Sequence, residues 1–263
     1  MNALTPNRLP VYCCREDAGI AVVTIDRPSQ RNALNLEVKR LLADTVEQLG
    51  ADDAVRLIIL TGAGGVFVAG TDVSEMATMS PTEHTLRVTD HVFTVLRRCS
   101  KLLIAAVEGY ALGGGCELAL ACDMIVAGEA ARLGQPEVRV GIMPGAGGTQ
   151  RLMRTIGSYR TMKMILTGEA VAARDAFAMG LVSEVVADGS ALKCAIELAH
   201  RISVMPPLAV RAIKEVMQLG QDVPLEVALS LERKAFQLLF DTADQKEGMR
   251  AFLEKRSPAF LGK

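Results

Sequence analysis

Two glutamates sit where glycine-rich backbone turns between apolar stretches: Glu117 at the end of Ala111-Leu112-Gly113-Gly114-Gly115-Cys116-Glu117, and Glu137 at the end of Leu133-Gly134-Gln135-Pro136-Glu137. A carboxylate beside such backbone can share a small cavity with exposed N–H donors, and two carboxylates in one cavity can divide acid and base work. The competing reading is two surface acids flanking helices. Other chemistry-bearing residues give less. Cys116 adjoins Glu117, but no histidine lies nearby in sequence, and a small apolar residue at a helix start accounts for it. His84 and His91 lie seven apart with Glu83 and Asp90 beside them, which are the residue types of a metal site; one exposed helical face gives the same spacing and is preferred. The six cysteines, Cys13, Cys14, Cys99, Cys116, Cys122 and Cys194, lack paired CxxC spacing and read as reduced, mostly buried thiols. No metal is expected.

The elements that must position the glutamates are legible as a pattern. Residues 20–25 are β-branched and apolar at most positions and are stopped by Asp26-Arg27-Pro28, which predicts a buried strand and a turn. Asn35 then caps a helix carrying Val38, Leu42, Val46 and Leu49 at helical spacing. A second buried strand at 57–60 runs into Thr61-Gly62-Ala63-Gly64-Gly65, a loop that lacks the last glycine of a dinucleotide fingerprint. A short apolar segment at 66–69 follows, then Gly70-Thr71-Asp72 and helical sequence. The same order recurs: strand 104–107, turn Glu108-Gly109, segment 110–112, glycines, and a helix from about Cys116. It recurs again from 124–126 through Arg132-Leu133-Gly134 to Pro144-Gly145-Ala146-Gly147-Gly148. Stacked strand–strand–helix units build an α/β spiral of sheets with helices outside, and the loops entering successive helices fall on one side. Glu117 and Glu137 come from two such successive turns.

Beyond about Ser158 the pattern is helical, with one stripe of Ala209, Ile213 and Val216 and another of Ala228, Leu231, Ala235 and Leu238. Two regions are therefore expected: a spiral ββα catalytic core over residues 1–195 and a C-terminal helical lid or oligomerisation region over 196–263. A net charge of −1 with dispersed Lys and Arg gives no footprint for nucleic acid. Arg97, Arg98 and Lys101 read as a solvated helix end. The apolar stretch at 102–127 is interrupted by Glu108, three glycines, Glu117 and Asp123, so it is core and not a membrane span. With no apolar or Arg/Ser-rich leader at the start, the expected compartment is the cytoplasm.

Residues 104–119, Gly134-Gln135-Pro136-Glu137 and residues 142–152 closely resemble the crotonase family, the enoyl-CoA hydratases and isomerases. Arg27-Pro28 with Asn32-Ala33-Leu34, Leu166-Thr167-Gly168, Gly180-Leu181-Val182 and residues 255–260 extend the likeness over nearly the whole chain. Within the family it is most similar to bacterial hydratases of phenylacetate and dehydroadipyl-CoA breakdown. The resemblance implies a crotonase-like spiral fold whose C-terminal helices form trimers, usually doubled to hexamers. It implies an acyl-CoA thioester as substrate, with coenzyme A part of that substrate and no further cofactor. Carried onto this sequence, the N–H groups of Thr71 and Gly114 form an oxyanion hole, and Glu117 and Glu137 exchange protons with water and the α-carbon. Ala33, Ala69, Thr71, Asp72, Val73 and Gly114 line the CoA side, with Lys255 or Phe260 reaching a CoA site from the C-terminal region. The chain departs from the family at Thr71, where alanine is common, and at Glu108, where asparagine is common; Glu108 is expected to be structural.

Hydration of a trans-2-enoyl-CoA is the expected activity. Δ3-Δ2-enoyl-CoA isomerisation is the alternative, needing only one glutamate. A non-catalytic CoA- or RNA-binding member of the fold is opposed by the intact pair and the absence of a basic face. A serine hydrolase is opposed by the lack of GxSxG.

Overall fold

The computed structural model describes residues 9–263. Strands β1 (Val11–Glu16) and β2 (Ile20–Ile25) form an antiparallel pair in which Val11 faces Ile25 and Glu16 faces Ile20. Helix α1 (Leu36–Ala51) follows, with Asn35 accepting the Val38 N–H at 2.9 Å, a cap that stabilises a helix by about 1 kcal/mol. Its Val38, Leu42, Val46 and Leu49 are buried at the predicted spacing. Strand β3 (Leu57–Gly62) runs parallel to β2. After it come three short helices, α2 (Val73–Met76), α3 (Pro81–Leu86) and α4 (His91–Arg98).

Two full repeats carry the centre of the chain. The first is β4 (Leu102–Val107), β5 (Tyr110–Leu112) and α5 (Gly114–Leu120). The second is β6 (Met124–Gly128), β7 (Arg132–Gly134), a 3-10 turn at Glu137–Val140, and α6 (Gly148–Ile156). Helix α7 (Ser158–Thr167), β8 (Val171–Ala172), α8 (Ala173–Ala178), β9 (Glu184–Val186) and α9 (Ala191–Ser203) complete the body. The chain closes with α10 (Pro207–Gly220), α11 (Leu225–Leu239) and α12 (Ala243–Leu253).

The first strand of each repeat joins a large sheet ordered β1-β2-β3-β4-β6-β9, parallel from β2 onward, and the second joins a small sheet ordered β5-β7-β8. This is the spiral that the repeats predict. Alternation along the large sheet serves two cores. Ile20, Val22, Leu57, Ile59, Ile104 and Val126 meet the alanine face of α9 (Ala191, Ala195, Ala199), whose small side chains let helix and sheet approach closely. The opposite set, including Val23, Ile58, Leu60, Leu103 and Ala105, packs under α1, α4 and α5. The expected division at 195/196 falls inside α9.

Several expectations change in detail. Residues 66–69 do not form a named strand; Val68 makes a single parallel bridge to Ala111, and the chain turns away at Gly70, whose φ of 139° closes the segment. The helix expected from about Cys116 starts at Gly114. His84 and His91 stand on different helices, so no single helical face holds them, and among the described residues no group of His, Cys, Asp and Glu could hold a metal ion. Only Cys99 and Cys116 are buried, while Cys13 and Cys14 are exposed because both faces of the edge strand β1 are uncovered from Cys13 onward. Glu108 is structural, as expected: it accepts the Ala191 N–H at 2.9 Å at the start of α9.

In the C-terminal helices, Ile213 is 60% and Leu238 74% exposed, so the expected stripes point partly outward. α10 is anchored by a charge instead: buried Lys214 donates to the Lys101 carbonyl at 2.7 Å and to Asp123 at 2.8 Å, just beyond the end of α5. Among the described residues, no helix is long and apolar enough to cross a membrane.

Candidate active site

Three consecutive glycines start α5, and each answers a different demand. Gly113 has φ 50° and ψ −124°, a conformation that strains any residue with a side chain. A Cβ on Gly114 would stand 2.5 Å from Thr71 Oγ1, and one on Gly115 would overlap the Val68 carbonyl oxygen. The helix therefore begins pressed against the 68–71 segment and carries Glu117 inward, only 3% exposed. One Glu117 oxygen accepts the N–H groups of Ala146 at 2.7 Å and Gly148 at 2.9 Å. Arg151 holds the same loop by donating to the Ala146 carbonyl at 2.8 Å. Glu117 is thus fixed through one oxygen by the loop of the next repeat, and its other oxygen is left to face the cavity.

Glu137 opens the 3-10 turn after β7, half-buried, with its carboxylate 3.0 Å from the position a Cβ on Gly113 would take. Burial pushes its pKa up to about 7, and the nearby charge of Glu117 adds to the shift. Gln135, fully buried, faces it. With the amide assigned so that nitrogen meets carboxylate, Gln135 donates to the two Glu137 oxygens at 2.9 and 3.1 Å.

Across from the pair lie two backbone donors. The bridge between Leu34 and Thr71 is made by Leu34 N–H to the Gly70 carbonyl and Asp72 N–H to the Leu34 carbonyl, so Thr71 directs its own N–H away from that pairing. Gly114 is the first residue of its helix and has no carbonyl four residues back to bond. The position of a Gly114 Cβ is 3.6 Å from the Thr71 nitrogen. Thr71, Gly114, Glu117 and Glu137 all line one cavity of about 450 Å³.

Such a cavity, with a carboxylate pair and two free amides, sits at the junction of successive spiral turns, and the comparisons with known proteins agree on what the spiral is. Residues 15–263 match the family described as enoyl-CoA hydratase/isomerase. The chain belongs to that family. A 2,3-dehydroadipyl-CoA hydratase of Escherichia coli K12 is 43% identical over 244 residues, covering 93% of this chain and 96% of that protein. A crotonyl-CoA hydratase of Syntrophomonas wolfei is 43% identical over 247 residues, covering 93% and 95%. A solved enoyl-CoA hydratase of Bacillus anthracis superposes with a TM-score of 0.92 at 37% identity, covering 97% of this chain and all of the other.

Against the crotonase-family expectation, Ala69, Thr71, Val73 and Gly114 line the cavity with the two glutamates. Ala33 and Asp72 do not. They form its outer brace: Arg27 donates to the Ala33 carbonyl at 2.6 Å and pairs with Asp72 at 3.3 Å, while Asp72 also caps α2. Lys255 and Phe260 are absent from the cavity wall, since the tail folds back onto α12, where Asp244 accepts the Leu261 and Gly262 N–H groups. Cys116 has its thiol pushed up to about 12 by burial and the neighbouring carboxylates, which rules it out as a nucleophile. Sequence reasoning missed Gln135 and the Ala146 and Gly148 amides. Gln135 had a usable signal in its place two residues before Glu137; backbone amides have none.

Proposed function

We propose that this enzyme adds water across the trans-2 double bond of an acyl-CoA thioester to give the 3-hydroxyacyl-CoA. The observation that carries the reading is the facing of two carboxylates and two unpaired backbone N–H groups across one cavity. Glu117 takes a proton from water as the oxygen adds to the β-carbon. The electron pair of the double bond moves onto the thioester oxygen, which the Thr71 and Gly114 N–H groups receive; one such donor contributes about 3–4 kcal/mol in comparable sites. The enolate then collapses and takes the Glu137 proton at its α-carbon. Ala69, Gly70, Thr71 and Val73, braced by Ala33 and Asp72, form the entrance on the CoA side. The carbonyl is polarised by backbone donors, so no cofactor beyond the CoA of the substrate is needed. The direct test is a panel of purified trans-2-enoyl-CoA thioesters scored for loss of the conjugated chromophore. No turnover of any member would overturn the assignment.

The chemistry consumes a charged Glu117 and a neutral Glu137 and leaves the reverse arrangement, so hydration and dehydration start from two tautomers of one singly protonated pair. Both directions therefore share one pH dependence. As Glu137 has its pKa raised to about 7, kcat/KM is expected to fall as pH rises through that region, in hydration and dehydration alike. Opposite limbs in the two directions would contradict the shared-proton scheme.

The last three helices bear on assembly. Ile213, Met217, Leu225, Phe252 and Leu253, spread over the last three helices, are each 60–83% exposed, and large exposed apolar side chains mark interaction surfaces. We propose a homotrimer or homohexamer formed through this region. Light scattering is expected to give a multiple of the 28.1 kDa chain; a monomeric mass with full activity would refute it.

A further inference from the structure

Beside the two backbone donors stands a polar group that they do not account for, the Thr71 hydroxyl. The backbone that carries it is fixed from both sides. Leu34 donates its N–H to the Gly70 carbonyl at 2.9 Å and accepts the Asp72 N–H at 3.0 Å, and Asp72 is held in turn by Arg27 at 3.3 Å. Two substituents on Cβ restrict a threonine to few rotamers, so a fixed backbone largely fixes the hydroxyl as well. Gly114 locates it. A Cβ on that glycine would stand 2.5 Å from Thr71 Oγ1 and 3.6 Å from the Thr71 nitrogen. Both polar atoms of Thr71 therefore lie on one side of Gly114, and the hydroxyl fills the room that a side chain at 114 would take.

The hydroxyl has no bond to make within the protein. Among the described residues, none donates to it or accepts from it. The two catalytic carboxylates are engaged elsewhere, Glu117 with the Ala146 and Gly148 N–H groups and Glu137 with Gln135. Thr71 is half-buried and lines the cavity. When a ligand displaces solvent from such a wall, a hydroxyl without a protein partner is left unsatisfied unless the ligand accepts its proton in a hydrogen bond. The acceptor that an acyl-CoA presents to the Thr71 and Gly114 N–H groups is its thioester oxygen.

We infer that the Thr71 hydroxyl is a third donor to the thioester oxygen, acting beside the N–H groups of Thr71 and Gly114. This rests on the hydratase reading and adds a side chain to an oxyanion hole otherwise built from backbone. It also gives a chemical consequence to threonine at a position where alanine is common in the crotonase family. The hydroxyl keeps its proton throughout. Its hydrogen bond strengthens as the electron pair of the double bond moves onto the oxygen, and weakens again when the enolate collapses. The acceptor is a neutral carbonyl in the bound substrate and an oxyanion in the transition state, so the gain falls on kcat more than on KM.

The test compares wild type with Thr71→Val, which keeps the shape and the backbone N–H but removes the hydroxyl, and with Thr71→Ser, which keeps the hydroxyl. Thr71→Val is expected to lower kcat for a trans-2-enoyl-CoA by roughly 10- to 100-fold with KM little changed, the range for one hydrogen bond to a charge formed in the transition state. Thr71→Ser should stay close to wild type. A second readout needs no turnover: the stretching frequency of a bound saturated acyl-CoA, isotopically labelled at its thioester carbonyl. Thr71→Val should raise that frequency toward its value in solution, and Thr71→Ser should not. An unchanged kcat in Thr71→Val overturns the third donor and leaves the hydratase reading intact. So does a raised KM at constant kcat, which would give the hydroxyl to another part of the CoA ester. Equal losses in Thr71→Val and Thr71→Ser with an unmoved carbonyl frequency would trace the effect to shape and also refute it. If wild type hydrates no thioester, the hydratase reading fails, and the carbonyl frequency still decides on Thr71: equal values in wild type and Thr71→Val refute the hydrogen bond. Failure of wild type to bind acyl-CoA refutes both.

Discussion

Replacing Glu117 by glutamine is expected to lower kcat for crotonyl-CoA hydration on the order of 10²–10⁴-fold, the usual contribution of a positioned acid–base group. The geometry makes the substitution informative. The glutamine carbonyl can take the place of the oxygen that accepts the Ala146 and Gly148 N–H groups, so the loop and the fold have every reason to survive. The amide nitrogen then faces the cavity, where it can donate a hydrogen bond to water but cannot remove its proton. Isomerisation of a Δ3-enoyl-CoA, which needs no activated water, should be spared more than hydration. Near wild-type hydration by this variant would remove Glu117 from the mechanism and favour the isomerase reading.

Glu137→Gln is expected to cost hydration a loss on the order of 10²–10⁴-fold as well, because the amide cannot deliver the α-carbon proton that the scheme assigns to Glu137. Its effect on stability should run the other way. The folded pKa of Glu137 is about 7, above the 4.5 of an unperturbed glutamate, so the folded protein binds more protons than the unfolded chain between those values. Stability tied to this group is fully present below pH 4.5 and is lost as pH rises through about 7. The glutamine variant does not titrate and should therefore gain in Tm relative to wild type above pH 7, with the gain shrinking toward pH 4.5. Thermal melts across that range, with activity measured alongside, separate the chemical role from a structural one. A variant that loses activity and melts lower at high pH would point to Glu137 as a structural carboxylate.

How far the sequence speaks depends on the kind of signal. Four strands of the large sheet, β2, β3, β4 and β6, are legible because each is a short apolar run ended by glycine or a charge, and a doubly covered parallel sheet demands that composition, whereas the edge strands β1 and β9 escape the reading. The glutamates are legible because the glycines that free the backbone at α5 are themselves in the sequence. The 66–69 segment misleads because four apolar residues say nothing about how many backbone partners they find, and here there is one bridge. The two histidines mislead because a break at Val88, with φ 44°, splits what reads as one helical face into two helices. The outward-facing Ile213 and Leu238 follow periodicity correctly but face away from their own chain, and periodicity cannot say whose surface covers them.

The bond between Glu117 and the 146–148 loop also has a spectroscopic use. The Ala146 amide lies in no helix or strand, and such loop amides ordinarily exchange with solvent quickly. Here a buried carboxylate holds it and the amide of Gly148, so both should exchange as slowly as those of the sheet. Deuterium uptake at these two amides thus reads the integrity of the site with no substrate present, and it can distinguish a variant that has lost its chemistry from one that has lost its shape.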